Sequence, residues 1–118
     1  MSKTYTDFEQ SKKLAEILPI ESADMLYTPL GNDYPWVWHE EVKLLEKNAT
    51  PCWSVAALLD IMPSEFSIAK QTDGVGTYYY IASDDARYCD VLHTQRHLNV
   101  VDACYEMIIK IHELKNML

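Results

Sequence analysis

The stretch VVDACYEMIIKIHELKNML, residues 100–118, decides the fold. Val100, Cys104, Met107, Ile111, Leu114 and Leu118 step by four, three, four, three and four. That spacing keeps all six on one stripe of a helix with 3.6 residues per turn. Asn99 is placed to cap it, and Asp102 suits the positive end of the helix dipole. Glu106 and Lys110 form an i,i+4 pair on the wet side. Tyr105, Ile108 and Ile109 widen the apolar surface beyond the stripe, and His112 sits on its flank. The stripe predicts a helix docked across a sheet. Its flanks are what docking would leave over for a partner or a second copy.

Immediately upstream, the pattern changes from helical to alternating. Glu65–Lys70 and Gly76–Ser83 read as two strands joined through Asp73-Gly74, a good hairpin signal. Tyr78-Tyr79-Tyr80-Ile81 favours strand strongly. Arg87–His93 reads as a third antiparallel strand in preference to a helix, because a lone hairpin needs a neighbour to be stable.

Further back, Val55, Leu58, Leu59 and Met62 recur at helical spacing, with Thr50-Pro51 as the expected start and Pro63 as the stop. Met25–Thr28 and Tyr34–Trp38 read as short strands split by a turn at Gly31-Asn32-Asp33, where Gly and Asn tolerate positive φ. Trp36 and Trp38 share one face by the period of two. Residues 40–47 fit a helical turn and a strand equally. The first helix is expected to open on a capping box, Thr6 with Glu9, and to end at Pro19. The elements add up to an α+β domain over residues 1–118. Its expected form is a small antiparallel sheet packed against an N-terminal helix, a central helix and a long C-terminal helix.

The chain carries 18 acidic and 10 basic residues, a formal net charge of −8. That balance argues against general nucleic-acid binding, which needs clustered Lys and Arg. No apolar run is long enough to cross a membrane, and the polar N-terminus lacks a secretory h-region. Cys52, Cys89 and Cys104 are an odd number without CxxC spacing, which points to free thiols in a reducing cytoplasm.

Candidates for chemistry are few. Asp85, Cys89, His93 and His97 recur every four residues, and His at i and i+4 of a helix can chelate zinc. The strand reading spreads them too far for one ion, so no metal site is expected. Cys52 lies near the expected start of the central helix, where the dipole can lower a thiol pKa, but the sequence identifies neither a base nor an oxyanion site, so it is expected to be a small core residue. His39 beside Glu40 and Glu41 forms no dyad, because adjacent residues do not share a face. There is no glycine-rich phosphate loop, GxSxG, HExxH or cysteine knuckle, and no cofactor is expected.

Three segments carry a resemblance when taken together: Gln10–Leu18 with Ala23–Met25, Pro51–Leu59 with Met62-Pro63, and Val101–Ile108 with Leu114. They resemble a group of short uncharacterised proteins encoded by gut anaerobes, their prophages and phages. The resemblance implies a shared α+β fold and a mobile-element setting, and no activity. Members carry Asn-Pro before the Val-Asp-Ala-Cys segment, whereas here Asn99 precedes Val100, so the cap remains and the proline is lost.

The functional expectation is a non-enzymatic accessory protein that binds a host or phage protein, or pairs as a homodimer. Trp36, Trp38, Tyr105, Ile109 and His112 are the expected surface. One alternative is an antitoxin-like or anti-defence protein, including a mimic of DNA. Strands followed by a helix over residues 65–118 are similar in outline to HicB-type antitoxins. The other is a small hydrolase using Cys52 or the His93/His97 region.

Overall fold

The computed structural model describes residues 3–28, 31–37, 49–85, 87 and 92–117. In chain order these form α1 (Phe8–Ala15), a 3₁₀ turn (Ile20–Ser22), β1 (Met25–Thr28), β2 (Gly31–Val37) and β3 (Thr50–Cys52). Then come α2 (Val55–Ile61), β4 (Phe66–Thr72), β5 (Thr77–Ser83) and α3 (Val100–Met117). The architecture is α+β with a long closing helix, as expected. Instead of one sheet, the strands make two antiparallel ones: β2-β1-β3 and the β4-β5 hairpin.

The hairpin is regular from Phe66↔Ser83 to Thr72↔Thr77. Asp73 closes it, its carboxylate accepting the amides of Val75 and Gly76 at 2.7 and 3.0 Å. The expected third strand, Arg87–His93, lies largely outside the described residues. The observed pairing falls on residues 92–97, which run antiparallel to β5 through Ala82↔His93 and Tyr79↔His97. The two bridges differ in register by one residue, so this segment carries a bulge and never becomes a regular strand.

The helix starts differ from expectation, for visible reasons. Thr6 does not cap α1. It is fully buried, and its hydroxyl meets Ser11 Oγ at 2.7 Å and accepts the Trp53 amide. Asp7 caps instead and forms the capping box with Gln10, one residue later than the Thr6/Glu9 box. Thr50-Pro51 belongs to β3, paired with Tyr27 and Leu26. α2 begins only after Ser54, whose hydroxyl accepts the Ala57 amide and is itself held by Asp24. Gly31, Asn32 and Asp33 lie within β2 rather than in a turn, with Gly31 opposite Thr28. No described residue takes a positive φ.

The core gathers α1, α2, β5 and α3 around Leu14, Trp53, Leu58, Ile81, Cys104 and Met107, all fully buried. Trp53 satisfies its indole by donating Nε1–H to Ser22 Oγ at 3.0 Å. On α3 the buried face is rotated from the expected stripe. Val101, Ala103, Cys104, Met107 and Ile108 are buried, while Val100, Ile111 and Leu114 are only half-buried. The rotation follows from the company α3 keeps: it packs on β5, α2 and α1 together, so more than one side of it turns inward. Ile108 is therefore core and not a flank.

Candidate functional site

α3 has 18 residues, against 8 in α1 and 7 in α2. At ~1.5 Å per residue it spans about 27 Å, more than twice either neighbour. Its supports run out before it does, because α2 stops before Pro63 and α1 stops ahead of Pro19. Two grooves flank it as a result.

The apolar groove lies at the C-terminal half of α3, with a volume of about 350 Å³. Ile17 and Leu18 wall it on one side, Ile61 and Met62 on another, and Ile111 with the edge of Ile108 forms the α3 wall. Pro63, His112 and Lys115 complete the lining. Asn116 Nδ2 donates to His112 Nε2 at 3.1 Å, and Lys115 is exposed.

The polar groove lies over the first half of α3, with a volume of about 560 Å³ and a floor that includes Tyr105 and Ile109. Two carboxylates organise it. Asp102 accepts Lys3 Nζ at 2.9 Å, Gln10 Nε2 at 2.8 Å and Asn99 Nδ2 at 3.0 Å. Burial works to raise its carboxyl, but these hydrogen bonds and the charge of Lys3 bring it below its ordinary value. Glu106 meets His97 Nε2 at 2.6 Å, accepts the Gln95 amide at 3.0 Å and pairs with Lys110 at 3.4 Å. Burial is again outweighed by these partners, and the Glu106 carboxyl is also lowered.

The residues singled out from sequence are not brought together. Tyr105 and Ile109 are half-buried in the polar groove, and His112 lies in the apolar one. Trp36 sits on β2 opposite Leu26, and Trp38 lies outside the described residues, as does His39. Cys89 lies outside them too. His93 and His97 sit on the extended segment beside β5, not on a helix, and Asp85 pairs with Arg87. Among the described residues no group of three His, Cys, Asp or Glu side chains could hold a metal ion.

Cys52 is a small core residue, as expected, but it lies in a strand and not at the start of a helix. It sits in β3, fully buried, and burial raises its thiol pKa despite hydrogen bonding to Thr6. Cys104 is pushed up to about 11 by burial alone. Both thiols are thus buried and shifted away from the thiolate, the form a nucleophile requires.

Sequence reasoning missed Ile17, Leu18, Ile61, Met62 and Ile111 as a surface. Their signal was present in the prolines: Pro19 and Pro63 cut two helices short beside a third that runs on. No protein-family model, curated protein or solved structure matches this chain. No helix among the described residues is long and apolar enough to cross a membrane.

Proposed function

We propose that this chain is an accessory protein of phage or prophage type that works by binding another protein, and that the apolar groove is where it binds. The observation that carries the reading is the overhang of α3. Ile17, Leu18, Ile61, Met62 and Ile111 converge on an open cleft that the described elements leave unfilled. An apolar pocket of this size rimmed by a polar group or two is the usual form of a binding site. The resemblance of the three segments quoted above supports the mobile-element setting. The test is affinity capture from the native host lysate with the wild-type chain and with Ile111→Lys. A partner held by the wild type and lost by a variant that keeps its circular dichroism spectrum supports the reading. Equal capture by both would contradict it.

A second reading, a small His-dependent hydrolase, is favoured by the pairing of His97 with Glu106 in the polar groove. The lining contains no Ser, Thr or Cys, so His97 would have to activate a water molecule directly. Ester hydrolysis that disappears in His97→Ala would support it, and its absence in the wild type would remove it.

A further inference from the structure

The charge around α3 is sorted by side. Among the described residues, the carboxylates of Asp7, Asp102, Glu106 and Glu113 line the polar groove, and none lines the apolar one. The apolar groove has two titratable side chains, His112 and Lys115. The exposed Lys115 ammonium places a positive charge at its mouth. Lys115 both lines the groove and is exposed, a combination that long cationic side chains allow because their apolar stem can border a groove while the charge stays in water.

We infer that the occupant of this groove is a protein segment that inserts a large apolar side chain and carries an Asp or Glu next to it. This rests on the protein-binding role proposed above. Charge complementarity selects that occupant. A basic segment would meet Lys115 with nothing to offset it, whereas a flanking carboxylate pairs with it at the rim. A rim pair of this kind sets partner choice and orientation more than total affinity.

The test is selection from a displayed library of random short peptides on the full chain, followed by affinity measurement on wild type, Lys115→Glu and Ile111→Lys. The enriched peptides are expected to pair an aromatic or aliphatic anchor with adjacent Asp or Glu. Their binding should weaken about threefold to tenfold in Lys115→Glu and fall with added salt. Lys115 is exposed, so that variant folds normally. Enriched peptides lost in Ile111→Lys but showing no acidic bias would overturn this inference and leave the groove as the binding site. Peptides indifferent to Ile111→Lys, or no enrichment at all, would overturn both. So would a dimer of the free chain that Ile111→Lys dissolves, since a second copy would then fill the groove.

Discussion

His97 Nε2 and Glu106 lie 2.6 Å apart, and this contact latches the segment beside β5 onto the closing helix. The segment at 92–97 holds β5 through two separated bridges, including the mutual pair of Tyr79 and His97 amides and carbonyls at 2.7 and 2.8 Å, and through Thr94 Oγ1, which accepts the Ile81 amide at 2.9 Å. Glu106 takes both the His97 ring and the Gln95 amide, so one carboxylate secures the stretch that the bulge leaves irregular.

Replacing Glu106 with Ala should therefore loosen residues 92–97 more than it lowers global stability. Charge-assisted hydrogen bonds to a half-buried carboxylate support a loss of about 1–3 kcal/mol in urea unfolding. Hydrogen exchange should quicken at the Gln95 and His97 amides before it does in the centre of α3. Uniform acceleration along the whole chain would show that Glu106 acts on the fold as a whole.

Stability should fall as the solution is acidified below the ordinary carboxylate range. Asp102 and Glu106 are both lowered in the folded chain from ordinary values of 3.8 and 4.5. The unfolded chain thus binds more protons near pH 4, and stability rises with pH there. The contribution is complete above the ordinary values and is lost as pH falls through the folded ones. Lys3 behaves in the opposite sense. Its pKa is raised, with burial opposed by Asp102 and Asp7, so its contribution holds below 10.5 and is lost as pH rises through the folded value. Thermal midpoints across this range check both signs, and Asp102→Asn should flatten the acid limb.

Thiol labelling should separate the native from the unfolded chain. Cys52 and Cys104 are fully buried with raised pKa values, so a maleimide reagent at neutral pH should modify neither until denaturant is added. Peptide mapping by mass spectrometry reads each site. Rapid native labelling of Cys52 would contradict its place between β1 and the Thr6 segment.

Trp53 is the largest fully buried side chain, and truncating it should be the most damaging single change. Trp53→Ala is expected to cost about 3–5 kcal/mol from lost burial and the cavity left behind. Trp53→Phe keeps much of the volume but strands Ser22 Oγ without its indole donor, so it should cost less, about 1–3 kcal/mol. Denaturant midpoints order the two variants.

The sequence disclosed the elements better than their edges. The Asp-Gly hairpin and the Asn99 cap of α3 were legible because local chemistry fixes them: Asp73 holds two amides of its own turn, and Asn99 holds the Asp102 amide. The capping residues of α1 and α2 were displaced by tertiary demands. Thr6 was drawn into the core by Ser11, Tyr27 and Trp53, and Thr50–Cys52 was claimed by β1. The buried face of α3 turned away from its four-three stripe because three neighbours, rather than one sheet, receive it. The apolar groove is a difference in helix length, which no single window of sequence displays.

The central claim is that a partner protein seats on the overhang of α3. The most direct measurement is chemical-shift mapping on the isotopically labelled chain as the captured partner is added. Shifts are expected to concentrate at Ile17, Leu18, Ile61, Met62, Ile111 and Lys115, with the β4–β5 hairpin unchanged. Shifts confined to the hairpin or to the polar groove around His97, with Ile61 and Ile111 silent, would contradict it.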